Sequence, residues 1–70
     1  MSHQVYNVTE IVGTSPDGSD AAIANAVREA SNTLRNLDWF EVMSIRGQLE
    51  DGAVKHWQVT IKVGFRHDGG

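Results

Sequence analysis

The sequence predicts an α+β fold of order β-α-β-β, with a three-stranded antiparallel sheet (strand order 1-3-2) packed on one helix. Three observations predict it. One apolar stripe at helical spacing runs from Ala21 to about Asn36. An Asp51-Gly52 pair marks a hairpin, and the residues that follow alternate apolar and polar with a period of two.

The first strand is read over Val5 to Val12, where β-branched residues cluster. Tyr6, Val8 and Val12 share one face, and Val5, Thr9 and Ile11 the other. Both faces are partly apolar, so the sequence predicts that the second meets a partner or lies on a covered edge. The run from Gly13 to Gly18, with Pro16 inside it, is read as the break after the strand.

Ser19 is the expected N-cap of the helix, with Asp20 placed to favour its dipole. The stripe comprises Ile23, Ala26, Val27, Ala30, Leu34 and Leu37, while Asn25, Arg28, Glu29, Asn32 and Arg35 fall largely outside it. Its alanines make the helix slender, so it can lie close to a sheet.

In the last strand Trp57, Val59, Ile61, Val63 and Phe65 point one way, and His56, Gln58, Thr60, Lys62 and Arg66 the other. In the preceding strand Trp39, Met43, Ile45 and Leu49 share a face with Glu41 and Gly47, opposite Phe40, Val42, Ser44, Arg46 and Gln48. Residues paired across an antiparallel hairpin lie on one face. A loop of Asp51-Gly52 alone would mix the faces, whereas a three-residue loop, Glu50-Asp51-Gly52, sets Ile45 opposite Trp57 and Arg46 opposite His56. The bulged loop is therefore expected. The last strand is expected at the centre, because that order leaves every neighbouring pair antiparallel.

Composition narrows the function. Residues 1–70 form one small domain, and a chain this short buries only roughly 60% of the surface its unfolded form exposes. Such folds usually need a staple. There is no cysteine, which excludes disulfides, and His3, His56 and His67 have no partner at ligand spacing, so no metal is expected. Oligomerisation remains. The net charge of −3 and the scattered basic residues argue against nucleic acid as a partner. The polar N-terminus lacks the apolar run of a signal peptide, and no stretch reaches the ~20 apolar residues of a membrane span. A soluble, cytoplasmic domain without membrane or nucleic-acid partners is expected.

Catalytic constellations are weak. Ser44 and His56 share a strand face, but such pairs are far more often solvated neighbours than nucleophile and base. Glu41 and the Glu50-Asp51 pair sit at opposite ends of one strand. Gly13 and Gly18 fit neither phosphate-loop pattern. No catalytic residue is therefore assigned, and the chain is not expected to be an enzyme. Trp39 stands apart, because it lies where the helix hands over to a strand and its own subunit can cover only part of it. Arg46 and Gln58 supply planar donors and acceptors that could read the edge of a heteroaromatic ring while an indole covers its face.

Over nearly its whole length the chain resembles the dodecins, small flavin-binding proteins. The matching stretches are Val5-Tyr6, Glu10-Ile-Val-Gly-Thr-Ser15, Ala30-Ser-Asn-Thr-Leu-Arg35, Leu37-Asp-Trp-Phe-Glu-Val42, Arg46-Gly47 and Gln58-Val-Thr-Ile-Lys-Val-Gly-Phe-Arg66. The resemblance implies a hollow homo-dodecamer of cubic symmetry in which isoalloxazine rings stack between symmetry-related tryptophans. It implies stacking by Trp39, hydrogen bonding of the ring edge by Gln58, and a place at the flavin site for Arg46. Arg66 is implied toward phosphate groups. The implied cofactor is FMN, with riboflavin or FAD as alternatives, since Gln4 and Asn7 stand where some members carry basic residues. Coenzyme A is implied as a further ligand of bacterial members. The expected function is non-catalytic flavin storage and photoprotective quenching. A small flavin-dependent reductase and a coenzyme A-binding structural shell are the alternatives.

Overall fold

A computed structural model describes residues 4–67. Its elements are β1 (Tyr6–Ser15), α1 (Ser19–Ser31), β2 (Leu37–Glu50) and β3 (Ala53–Arg66). The sheet order is β1-β3-β2 and both pairings are antiparallel, as the sequence predicts. The helix packs on β1 and β3. Val59, Ile61 and Val63 of β3 form the floor of the core against Ala22 and Ala26, with Ile11, Val27, Leu34 and Trp57 around the margin.

Strand β1 extends past the predicted break, because Gly13 pairs with Val59 and Ser15 with Trp57. Gly13 serves helix packing rather than a turn. A Cβ there would collide with the Ala22 carbonyl and stand 2.7 Å from Ala26 Cβ, so its absence lets α1 approach the sheet. The turn proper begins at Pro16, where the Asp17 N–H donates to Ser15 Oγ at 3.0 Å.

The cap also differs from expectation. Gly18, not Ser19, is the N-cap, and it has no side chain to offer the helix. Its φ of 142° and ψ of 171° belong to a region that glycine alone enters readily, which fixes the residue type there. The helix ends at Ser31 rather than near Asn36. The Thr33 and Leu34 N–H groups donate back to the Ala30 carbonyl, and Asn36 turns left-handed at φ 63°. Leu34 still reaches the core from this connection.

The hairpin corrects two further expectations. Glu50 pairs with Ala53, so the loop is Asp51-Gly52 alone, with φ of 53° and 76° as the favoured two-residue hairpin turn requires. Parity is restored by a bulge instead, since Gln48 pairs with His56 and Leu49 with Val54, leaving Lys55 as the extra residue. Ile45 therefore faces Val59 and Arg46 faces Gln58. Two more irregularities lie in β2, at Asp38 and at Met43. A one-residue insertion flips every side chain beyond it. Phe40 and Val42 consequently pair with Val63 and Ile61 on the helix side, and Trp39 and Glu41 join Ser44, Arg46 and Gln48 on the opposite face.

Candidate functional site

The face of the sheet turned away from the helix carries the candidate site. Trp39 pairs with Gly64 there, and the indole lies across the glycine. A Cβ on Gly64 would collide with the six-membered ring and stand 2.7 Å from Trp39 Cδ2. Gly64 is thereby buried, while Trp39 remains 40% exposed. One ring face rests on backbone and the other is open.

Tyr6 flanks this ring, with centroids 6.3 Å apart and planes tilted by 45°, within the range of favourable aromatic pairs. Its hydroxyl donates to Asp38 Oδ2 at 2.7 Å, and Gln4 Oε1 stands 3.1 Å from the Tyr6 hydroxyl oxygen. Asp38 is the extra residue of the β2 bulge, so the irregularity that turns Trp39 to this face also aims a carboxylate at Tyr6. The hydrogen bond to Asp38 is the main reason the Tyr6 phenol is held above its ordinary range, with desolvation and the carboxylate charge adding to it and Arg66 opposing it.

All four residues singled out from the sequence lie on this face, in two groups. Arg66 pairs with Tyr6 and is the next residue on the face after Gly64, so it stands beside Trp39. Arg46 and Gln58 are direct cross-strand partners. Six residues of β3 separate Gly64 from Gln58, which at strand rise is about 20 Å. No single fused-ring ligand can rest on Trp39 and meet Gln58 of the same chain. Ser44 pairs with Thr60, four residues from His56, a separation of about 13 Å that leaves no Ser–His pair.

The hollow lined by Val27, Leu37, Asp38, Trp39, Phe40 and Val63 draws most of its lining from the helix side of the sheet, and it holds about 150 Å³, short of the roughly 300–1,000 Å³ of a self-contained ligand pocket. A larger open groove of about 660 Å³ runs between α1 and the outer edge of β1, but no aromatic ring lines it. Among the described residues no group of three or more His, Cys, Asp or Glu could hold a metal ion, and no helix is long and apolar enough to cross a membrane. His3 lies outside the described residues.

Two features escaped sequence reasoning. Gly64 was legible in principle, since a glycine inside a strand marks close approach of another group. The Tyr6–Asp38 contact spans 32 positions and carries no local signal.

Known proteins resemble this chain in sequence and fold. The family model described as Dodecin matches residues 5–68. Dodecin from Thermus thermophilus is 52% identical over 63 residues, covering 90% of this chain and 91% of that protein. Among solved structures, dodecin from Streptomyces coelicolor superposes with a TM-score of 0.94 at 63% identity, covering the whole of both chains. Dodecin from Streptomyces davaonensis gives 0.93 at 63% identity, over 97% of this chain and 100% of that one. Structures of the Thermus protein include arginine-to-alanine and tryptophan-to-phenylalanine mutants. With its matching strand order, helix and length, the chain belongs to the dodecin family.

Proposed function

We propose that this protein binds flavin without catalysis, in sites completed between copies of the chain within a homo-dodecamer. It stores the cofactor and quenches its excited state. The observation that carries this reading is Trp39, seated on Gly64 with its outer ring face exposed. An isoalloxazine ring fits such a surface. It is flat enough to stack on the indole, and its polar edge suits the amide of Gln58 and the guanidinium of Arg46. Because the two groups of residues are about 20 Å apart, the stacking indole and the edge-reading pair come from different copies. Arg66, beside Trp39, is the candidate for a phosphate tail, which favours FMN over riboflavin. The residue types altered in the Thermus structures, one tryptophan and two arginines, are those assigned here.

A bound flavin would contribute a strongly absorbing ring that accepts electrons. The chain's own contribution is to cover both faces of that ring, which leaves no open side for a hydride donor. A reductase is therefore the weaker reading, and coenzyme A is a further ligand to test rather than the main one. Stacking of a heterocycle on an aromatic side chain is worth about 1–3 kcal/mol per ring.

Titration of flavin-free protein into FMN is expected to quench the flavin fluorescence with saturable stoichiometry. Trp39→Ala is expected to remove most of the quenching while the oligomer persists by native mass spectrometry. An alanine variant that binds and quenches FMN like the parent would overturn the assignment. The same spectra, taken on protein drawn directly from cells, count subunits and show whether flavin or coenzyme A travels with it.

A further inference from the structure

We infer that Tyr6 and Asp38 form a proton-coupled electron relay behind Trp39, refilling the indole when it has lost an electron. The inference deepens the flavin reading above and rests on it for the physiological oxidant, but the relay itself is a property of this chain alone.

The geometry supplies each requirement. Electron exchange is faster the shorter the gap, and the Tyr6 and Trp39 centroids are 6.3 Å apart. A phenol loses an electron easily only if its proton leaves with it, because the protonated radical is a very strong acid. A base must therefore stand within hydrogen-bond reach, about 2.6–3.2 Å. Asp38 Oδ2 accepts from the Tyr6 hydroxyl at 2.7 Å. The hydroxyl has a single proton to donate, and the shorter, charge-assisted contact takes it in preference to Gln4 Oε1 at 3.1 Å. Arg66 pairs with Tyr6 across the strands and brings a positive charge to the same corner.

The step balances as follows. A bound, photo-excited isoalloxazine ring would supply the oxidant, taking one electron from the Trp39 indole to leave an indole radical cation. One electron then passes from Tyr6 to that cation, and the phenolic proton moves to the Asp38 carboxylate. The products are neutral Trp39, a neutral tyrosyl radical and protonated Asp38. Return of the electron from the reduced ring to Tyr6, and of the proton from Asp38, would restore the starting state. The indole, whose radical is prone to irreversible oxidation, is thus exposed to damage for a shorter time.

The test needs no flavin. Tyr6 is the only tyrosine in the chain, so a tyrosyl signal has one source. Flavin-free protein is oxidised by one electron with a photo-generated ruthenium tris-bipyridyl oxidant, freeze-quenched and examined by electron paramagnetic resonance. The parent should yield a tyrosyl radical. Asp38→Asn and Trp39→Phe should each lower that yield by about tenfold or more, consistent with loss of a positioned base or of the intervening indole. Asp38→Glu, which keeps the carboxylate, should restore most of it, and Tyr6→Phe should leave a longer-lived tryptophanyl radical. A tyrosyl yield unchanged by Asp38→Asn or by Trp39→Phe overturns the relay. FMN titration of the same samples is read separately, so failure of flavin binding and failure of the relay are distinguishable.

Discussion

At the scale of single residues, the site depends on what Gly64 lacks. The indole occupies the space that a Cβ at that position would need, so Gly64→Ala must push Trp39 off its backbone support. With about 1–3 kcal/mol at stake in the stacking contact, FMN affinity is expected to fall by about one order of magnitude. Titration by fluorescence quenching measures it. An alanine variant with parental affinity would mean that the ring is positioned by something other than Gly64. Tyr6 offers a second, independent reading. Its phenol is held above the ordinary tyrosine value of 10.0, chiefly by the hydrogen bond to Asp38. The folded state therefore favours the neutral phenol. The associated stabilisation is fully present below pH 10.0, the unfolded value, and is lost as pH rises through the higher folded value. An absorbance titration of the single tyrosine should show ionisation above 10.0 in the parent and a lower midpoint in Asp38→Asn.

At the scale of elements, the interface between α1 and β1 is set by one missing methyl group. Gly13→Ala places a Cβ against the Ala22 carbonyl, a backbone atom that cannot turn aside. Overpacking of this kind costs about 1–3 kcal/mol. Gly47→Ala is the control, because its Cβ would meet Val54 Cγ1 at 3.4 Å, close to ordinary contact, and should be nearly neutral. Chemical denaturation of the two variants checks the contrast. The elements themselves were legible in the sequence. The spacing of Ile23, Ala26, Val27 and Ala30 and the alternation from Trp57 to Phe65 are periodic signals that packing does not override. The bulges at Asp38, Met43 and Lys55 were not legible, because an unpaired residue leaves no mark on composition and follows from how the strands settle against each other. That is why alternation along β2 puts Trp39 on the wrong face, although its position after the helix already marks it as a ring its own chain covers only in part. Likewise the Asp51-Gly52 turn could be seen, but the Lys55 bulge that reconciles it with the alternation could not.

At the scale of the molecule, the chain is too extended to be self-sufficient. Its radius of gyration is 14.6 Å, against about 11 Å for a compact domain of this length, and its extents are 57 × 20 × 13 Å. The helix covers β1 and β3, while almost all of β2 remains exposed on both faces, including Phe40, Val42, Met43, Ile45 and Leu49. An apolar edge strand of this length is a liability in isolation, and symmetric association is the common way to cover one. Ile45, 53% exposed on the part of the sheet that α1 does not reach, is a position at which a charge would oppose that cover without touching the internal core. Ile45→Asp is expected to shift the protein from a multimer to smaller species in analytical ultracentrifugation and to lower its melting temperature. The variant also tests the composite site, because Trp39, Arg46, Gln58 and Arg66 all remain in place. If a ring must be stacked by one copy and read at its edge by another, isolated protomers should lose tight FMN binding despite keeping every assigned side chain. Parental affinity in a verified monomer would show that one chain suffices, and the two-group geometry of the site would have to be abandoned.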